Sequence, residues 1–228
     1  MTGKLYGIGV GPGDPEYMTL KAVRIIEECD VIAVPGRKVE ESVAFQIAAG
    51  ACSRLSDKTC IAIPMPMTKD REILEQSHRE GAKLLALHLD QNKKVAFLTL
   101  GDPTVYSTYW YLHHILEKEG YETEIISGIP SFCAVAAKLN TALVESAEPL
   151  HIYPASYAIE EAMQLSGTKV FMKSGKKLGD VKEQLLRSDA QVRMIENCGM
   201  PNEKIYNSAN EIPETGSYYT LIIAKEKS

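Results

Sequence analysis

The sequence lacks any hydrophobic run long enough to cross a membrane. A spanning helix needs about 18 consecutive apolar residues, and no stretch of the 228 residues reaches that length. The amino-terminal segment has an early lysine followed by alternating glycines, without the apolar centre and small-residue cleavage site of a secretory signal. We therefore expect a cytoplasmic protein with no membrane partner.

Patterns of disulfides and metal sites are also absent. The five cysteines are widely spaced and include no C-x-x-C pair, which favours neither a disulfide framework nor a zinc knuckle. The five histidines show no H-E-x-x-H pattern, and the adjacent His113 and His114 are expected on a surface helix. The sequence therefore predicts reduced thiols in the core and no metal site.

An excess of positive charge is missing as well. The 25 lysines and arginines face 30 acidic residues, for a net charge of −5. Binding to nucleic acid requires clustered basic side chains, so that partner is not expected. An anionic small molecule would need a local basic cluster, for which Arg37, Lys38 and Lys176 are candidates because each follows a predicted strand. A solvated surface role fits these three side chains equally well.

What the sequence does contain is a regular alternation of short β-branched apolar runs with longer segments of helical periodicity. This alternation predicts the α/β class, with parallel strands joined by crossover helices. The length allows two α/β domains, which we place at residues 1–120 and 121–228. The last apolar run is predicted as a hairpin arm, so the second sheet is expected to be mixed. The predicted strands are 5–10, 31–34, 60–63, 95–100, 122–126, 151–153, 169–172, 191–196 and 218–224, and the predicted helices are 19–28, 41–49, 70–90, 106–118, 131–139, 158–165 and 178–186.

A glycine-rich loop, GIGVGPGDP at residues 7–15, stands where the first strand ends. Without side chains its backbone could turn sharply and approach a ligand, while Pro12 and Pro15 restrict its freedom. The dinucleotide fingerprint G-x-G-x-x-G fails, because its third glycine falls on Pro12 or Asp14. The alternative is a tight connection that only packs, but four glycines with two prolines favour binding.

Two further loops follow predicted strands. They are LTLGDPTVYS at residues 98–107, containing Asp102, and SGIPS at residues 127–131. Alone, the GDP turn is more simply interpreted as the start of the next helix. Ligands of open α/β sheets collect at the carboxyl ends of strands, so three such loops predict one shared site.

With these loops, the sequence resembles the tetrapyrrole methylase family, S-adenosylmethionine enzymes that methylate uroporphyrinogen and the precorrins. IGVGPG at 8–13 with YMTLKA at 17–22 follows the family's first motif, and residues 95–107 with Gly128 follow its second. Val10 and Ser127 depart from the usual residues. The resemblance covers almost the whole chain and implies two α/β domains, a homodimer, and an active site in the cleft between the domains.

Within the family, KLYGIGVGPGDPE, DVIAVP and GDPTVYSTYWYL are most similar to the C-20 methyltransferases of precorrin-2 or cobalt-factor II. The resemblance implies methylation of the C-20 meso carbon in cobalamin biosynthesis, with S-adenosylhomocysteine as product. Any cobalt would belong to the substrate. The alternatives are a family member acting on another precorrin or on uroporphyrinogen, and a non-catalytic tetrapyrrole-binding module.

The resemblance also implies site residues. For catalysis we consider Asp102, which could orient the cofactor or a pyrrole N–H, with Tyr106 and Tyr219; lining a cleft is the simpler interpretation of each tyrosine. The implied cofactor contacts are Pro12, Leu100, Gly101, Asp102, Val105, Pro130, Ser131, Met172, Cys198 and Thr220. The predicted substrate contacts are Gly11, Gly13, Asp14, Arg37, Lys38 and Lys176.

Overall fold

The computed structural model describes residues 3–154 and 159–226, with the side chain of Lys176 excepted. Contacts within the chain group it into two compact units, residues 1–130 and 131–228. None of the helices that the structure describes is both long and apolar enough to traverse a bilayer.

The first unit is built on a five-stranded sheet in the order β3-β2-β4-β1-β5, in which every neighbouring pair is parallel. An all-parallel sheet must be covered on both faces, and four helices do this. The predicted α/β class is therefore confirmed. The strands are β1 (Lys4–Gly9), β2 (Val31–Pro35), β3 (Thr59–Ile63), β4 (Val95–Thr99) and β5 (Glu122–Ile126), and the helices are α1 (Leu20–Glu28), α2 (Val43–Ala51), α3 (Arg71–Leu89) and α4 (Tyr109–Lys118).

The two faces of this sheet carry separate hydrophobic cores. Ile8 and Leu98 point to the side covered by α1 and α2, whereas Leu5 and Phe97 point to the side covered by α3 and α4. The chain after β1 thus leads to one face, and the chain after the adjacent β4 leads to the other. Such a reversal opens a crevice at the carboxyl ends of the two strands, which is the usual ligand site of an open α/β sheet.

The strand at Glu122–Ile126 was predicted correctly but assigned to the second half of the chain. In the structure it pairs with β1 and extends the first sheet, and Lys4 forms ion pairs with Glu122 and Glu124 across this edge. The error has a physical cause, since a β-branched run identifies a strand but carries no information about its partner.

The second unit contains a five-stranded sheet in the order β6-β7-β10-β8-β9. The first two strands are parallel and the remaining pairs antiparallel, so the predicted mixed sheet is confirmed. The strands are β6 (Leu150–Pro154), β7 (Thr168–Met172), β8 (Gln191–Glu196), β9 (Lys204–Tyr206) and β10 (Thr220–Lys225), and the helices are α5 (Ser131–Lys138), α6 (Ile159–Met163) and α7 (Leu178–Leu186). Residue 158 of the helix predicted over 158–165 lies outside the described residues.

The predicted hairpin arm is wrong in its pairing. β10 lies between β7 and β8 instead of pairing with the segment just before it, and the unpredicted β9 forms the edge. The side chains of 220–224 are all buried, which suits a central strand covered on both faces. β9 has only three residues, none of them buried, which is too weak a pattern to recognise from sequence.

Helix starts follow their capping residues. The side chains of Thr19, Ser42 and Asp70 each accept a hydrogen bond from the first turn of α1, α2 and α3. The predicted start of α4 at Tyr106 is wrong, because Tyr106 has a left-handed φ of 47° and the helix begins at Tyr109.

Two predicted side-chain positions are also wrong. Cys133 is exposed on α5 and is not a core thiol. His113 is buried, 8% exposed, because it shares the core-facing side of α4 with Tyr109, Leu112 and Leu116. The helix is amphipathic, and a histidine four residues after a core tyrosine lies on the same face.

Candidate functional site

Three loops lie together at the carboxyl ends of the strands of the first sheet. We name residues 10–14 after β1 the first loop, residues 100–108 after β4 the second loop, and residues 127–130 after β5 the third loop. The N–H of Gly11 donates to the carbonyl oxygen of Gly101 at 3.2 Å. In return, the N–H of Gly101 donates to the carbonyl oxygen of Gly11 at 2.8 Å. This pair of bonds joins the first two loops at the crevice between β1 and β4.

Backbone packing between the loops explains part of the glycine pattern. A Cβ atom on Gly128 would lie 2.2 Å from the carbonyl oxygen of Gly101, and one on Gly9 would lie 2.7 Å from the nitrogen of Gly128. These separations are too short for any real Cβ contact, so both positions require glycine. At Gly9 the absent side chain therefore makes room for another loop, where the sequence pattern suggested room for a ligand.

Asp102 fastens the second and third loops together. One carboxylate oxygen accepts the N–H of Thr104 at 2.7 Å and its hydroxyl at 2.5 Å. The other accepts the N–H of Gly128 at 3.0 Å and the hydroxyl of Ser127. Burial alone would raise the pKa of this carboxyl group, but the hydrogen bonds from Ser127, Thr104 and Gly128 outweigh burial and hold the pKa below its ordinary value.

The first loop is held from within. Asp14 caps the short helical turn Pro15–Tyr17 by accepting the N–H of Glu16 at 2.9 Å. Gly11 has a φ of 77°, which favours glycine. Of the predicted contacts here, Gly11, Pro12 and Gly13 are buried and Asp14 is half-buried.

Some predicted contacts present partly accessible side chains along the loops. Leu100 and Val105 in the second loop are half-buried, as are Pro130 and Ser131 at the end of the third loop and the start of α5. Gly101 and Asp102 are buried beneath them. The buried residues thus build the loops, and the half-buried ones offer surface to a ligand.

Tyr106 occupies a strained part of the second loop. Its left-handed backbone is uncommon for a bulky residue, and the side chain is 47% exposed. Backbone strain of this kind concentrates at ligand sites, where the fold holds a side chain in a defined position.

In the second unit, four predicted site residues lie together at one end of the neighbouring strands β7, β10 and β8. Met172 ends β7 opposite Leu221, and Thr220 begins β10 opposite Glu196, the last residue of β8. Just beyond this end, the N–H of Asn197 donates to the carbonyl oxygen of Tyr219 at 3.0 Å. Antiparallel pairing therefore brings Met172, Cys198, Tyr219 and Thr220 to the same end.

Ser174 is a residue at this end of the strands that sequence reasoning missed. The hydroxyl of Thr220 accepts the N–H groups of Ser174 at 3.1 Å and Gly175 at 3.4 Å. The hydroxyl of Ser174 itself is buried and has no hydrogen-bond partner among the residues that the structure describes. A buried unpaired hydroxyl is costly, which marks it as a group that a polar ligand could satisfy. Its position two residues after Met172, a cofactor contact implied by the family resemblance, was the only signal in the sequence.

Comparison with known proteins decides the family. Residues 4–213 match the family model of the Tetrapyrrole (Corrin/Porphyrin) Methylases. The chain belongs to this family. It is 34% identical to the "Probable cobalt-precorrin-2 C(20)-methyltransferase" of Methanocaldococcus jannaschii, over 97% of this chain and 96% of the relative. It is 27% identical to the "Cobalt-precorrin-2 C(20)-methyltransferase" of Salmonella typhimurium, over 100% of this chain and 98% of the relative.

A solved structure shares the fold of this tetrapyrrole methylase. The uroporphyrin-III C-methyl transferase of Thermus thermophilus, solved in complex with S-adenosyl homocysteine, superposes with a TM-score of 0.74. The match covers 98% of each chain at 22% sequence identity. The resemblance seen in the loop motifs is therefore confirmed for the family and for the fold.

Two candidate side chains of the methylase are un-ionised at neutral pH. Burial, with a smaller contribution from Tyr218, raises the pKa of Tyr219 above its ordinary value. Burial, with a smaller contribution from Glu203, raises the pKa of the Cys198 thiol to about 11. Tyr219 can therefore donate a hydrogen bond but is poorly suited to accept a proton, and Cys198 is unsuited to act as a nucleophile.

The candidate cations of the methylase lie at strand ends. Arg37 and Lys38 follow the carboxyl end of β2, which is the neighbour of β4 in the first sheet, and both are exposed. Lys38 forms an ion pair with Glu41 at 2.7 Å. The side chain of Lys176 lies outside the described residues, so its predicted role stays a prediction.

Proposed function

We propose that this tetrapyrrole methylase transfers a methyl group from S-adenosylmethionine to the C-20 meso carbon of precorrin-2 or cobalt-factor II in cobalamin biosynthesis. The observation that carries the proposal is the convergence of the three loops at the crevice between β1 and β4. The names of the Methanocaldococcus and Salmonella relatives support the choice of C-20.

The residues present fit the cofactor. S-Adenosylmethionine combines a cationic sulfonium centre, apolar methylene groups and a flat base with a polar ribose and amino-acid group. The half-buried Leu100 and Val105 would contact the apolar parts, and the unpaired hydroxyl of Ser174 would bond a polar part. We assign the remaining contacts to Pro12, Gly101, Asp102, Pro130, Ser131, Met172, Cys198 and Thr220.

The chain itself mainly positions the reactants. The bound cofactor supplies a methyl group already activated by its sulfonium. What remains for the protein is to align a meso carbon with that group and to exclude water. Asp102 serves this step by fixing the loops, because both of its oxygens are engaged by the chain.

The removal of a proton from the methylated carbon needs an acceptor. Tyr106, partly exposed on the second loop, and Tyr219 remain the candidates, with Tyr219 the weaker one because its pKa is raised. We assign substrate contacts to Gly11, Gly13 and Asp14 in the first loop and pair the substrate carboxylates with Arg37, Lys38 and Lys176.

The proposal includes a cytoplasmic homodimer. Leu84 and Leu87 lie on α3 with 40% and 60% of their surface exposed, which supports an association surface on this helix. Light scattering on the purified chain measures the oligomeric state directly.

The decisive experiment is product analysis. The purified protein is incubated with methyl-labelled S-adenosylmethionine and either metal-free or cobalt-loaded precorrin-2, and the new methyl group is located by NMR and mass spectrometry. Transfer to C-20 is expected. Transfer to a ring carbon, or turnover only in parallel incubations with another precorrin or with uroporphyrinogen, would move the chain to a different activity of the family. Tetrapyrrole binding without any turnover would identify a non-catalytic module.

A further inference from the structure

Three metal-ligand side chains lie together on α4, apart from the loops. His113, His114 and Glu117 each offer one donor atom, and these atoms lie within 4.8 Å of one another. Nε2 of His113 is 3.9 Å from one carboxylate oxygen of Glu117, and Nδ1 of His114 is 4.0 Å from the other. The carboxylate therefore stands between the two imidazole rings.

The ring of His113 is held in place on its far side. Its Nδ1 shares a hydrogen bond of 3.3 Å with the hydroxyl of Tyr109, and the ring packs against Tyr109 and Trp110 with centroid distances of 5.5 and 4.8 Å. Metal-ligating histidines are commonly oriented by such a bond on the second nitrogen. In this arrangement Nε2 is left directed at Glu117.

We propose that His113, His114 and Glu117 bind a divalent first-row transition metal ion such as Zn²⁺, Co²⁺ or Ni²⁺, with water completing the coordination. Two imidazole nitrogens and one carboxylate are the donor set that such ions prefer, whereas Mg²⁺ and Ca²⁺ prefer oxygen ligands alone. The site uses none of the residues assigned to methyl transfer.

The present distances allow closure around an ion. Ligand atoms bonded at about 2.1 Å to one ion lie roughly 3.0 to 3.4 Å apart. Each His–Glu pair must therefore shorten by at most about 1 Å, and the widest pair of donor atoms, which lie within 4.8 Å, by less than about 2 Å. His114 and Glu117 have exposed side chains, 59% and 61%, and can make that movement while the buried His113 stays fixed. The three ligands have the order H-H-x-x-E, which differs from the H-E-x-x-H pattern that is typical of helical zinc sites.

The test uses the single tryptophan of the chain as an internal probe. The Trp110 ring lies 4.8 Å from the His113 ring and 5.3 Å from the His114 ring, so a bound Ni²⁺ or Co²⁺ will quench its fluorescence. The full chain, treated with chelator and then freed of it, is titrated with each metal salt alone. We expect saturable quenching, one ion per chain by calorimetry, and a higher midpoint of thermal unfolding with the metal.

Two variants of exposed ligands define the site. His114→Ala and Glu117→Gln are each expected to weaken the metal affinity by at least about tenfold and to abolish the thermal shift. His151→Ala, on β6 of the second unit, is the matched control and should bind as the wild type does. The proposal is overturned if the wild type shows no saturable quenching, or if His114→Ala and wild type give the same titration. Neither result bears on methyl transfer, because no cofactor or tetrapyrrole is present.

Discussion

The carboxylate of Asp102 accepts a hydrogen bond from the backbone N–H of Gly128, 26 positions later in the chain, at 3.0 Å. Asp102 follows β4 and Gly128 follows β5, and β1 lies between these two strands. The bond therefore connects the loops on either side of the glycine-rich first loop. Together with the pair of bonds between Gly11 and Gly101, it makes the candidate site one connected backbone structure.

Replacing Asp102 tests whether this residue positions the loops. Asp102→Asn keeps the shape but presents an amide where the carboxylate accepts N–H and O–H donors, so we expect a loss of about 2–3 kcal/mol in the free energy of unfolding. S-Adenosylhomocysteine should bind more weakly in the same variant. Denaturant unfolding and calorimetry measure the two quantities.

Asp70→Asn provides the matched control. Asp70 caps α3 from an exposed position, and asparagine caps a helix about as well as aspartate. This variant should keep wild-type stability and affinity. If Asp102→Asn instead lost methyl transfer while stability and cofactor affinity stayed unchanged, Asp102 would be a catalytic residue, as the family resemblance first suggested.

The same carboxylate predicts a pH dependence. Because the pKa of Asp102 is lowered in the folded state, its ionised form stabilises the fold at every pH above the unfolded value, near 3.8. That stabilisation is lost as the pH falls below about 4 and through the lowered pKa. The stability difference between wild type and Asp102→Asn should be constant from pH 6 to about pH 5 and shrink near pH 3. Unfolding curves at these pH values check it; an equal difference at all of them would contradict the lowered pKa.

Gly128 tests the close approach of the loops. In Gly128→Ala the new Cβ would lie 2.2 Å from the carbonyl oxygen of Gly101, and this backbone atom cannot move without displacing the second loop. We expect a loss of about 3 kcal/mol or more in stability, with weaker binding of S-adenosylhomocysteine. Thermal unfolding and calorimetry provide the measurements.

Gly120→Ala separates packing from backbone strain. Gly120 also has a left-handed φ, 89°, but a Cβ there would meet nothing within 4 Å. This variant should lose only about 1–2 kcal/mol, from strain alone, with unchanged cofactor affinity. Equal effects of the two substitutions would show that crowding at Gly128 is unimportant.

The sequence was a good guide to local structure at these loops because the relevant signals are local. The capping residues Thr19 and Asp70 predict the starts of two helices, and the β-branched runs predict strands. Pairing is not local. Nothing in the segment Glu122–Ile126 indicates that β1 will be its neighbour, and nothing in the final apolar run indicates that it will lie between β7 and β8.

The site was predictable only in outline for the same reason. The edge at which the three loops collect follows from the α/β pattern, but the role of each residue depends on contacts across the chain. Position 9 must be glycine because the backbone of Gly128 packs against it, and Asp102 accepts a hydrogen bond from Ser127. In each case the two residues are far apart in the sequence. The unpaired hydroxyl of Ser174 can be recognised only when its surroundings are known.

Ser174 gives a prediction in which stability and affinity change differently. In Ser174→Ala the free protein loses a buried hydroxyl without a partner, so its stability should be unchanged or slightly higher. If the hydroxyl bonds the cofactor, affinity for S-adenosylhomocysteine should fall roughly fivefold, the value of one hydrogen bond of about 1 kcal/mol. Thr220→Val, which removes the acceptor of two N–H groups, should instead lower stability. Unchanged affinity in Ser174→Ala would remove Ser174 from the site.

Arg37 tests the recognition of substrate carboxylates. Arg37 follows the carboxyl end of β2. Lys118 ends α4 just before β5 and therefore lies near the amino ends of the same parallel strands. Both side chains are exposed. Arg37→Gln should raise the KM for the tetrapyrrole roughly two- to fivefold with kcat and cofactor affinity unchanged, because a surface ion pair contributes to binding alone. The difference should diminish as salt is added, since exposed charges are screened. Lys118→Gln should behave as wild type in the same steady-state assay. An equal KM in the two variants would assign the substrate carboxylates to other side chains.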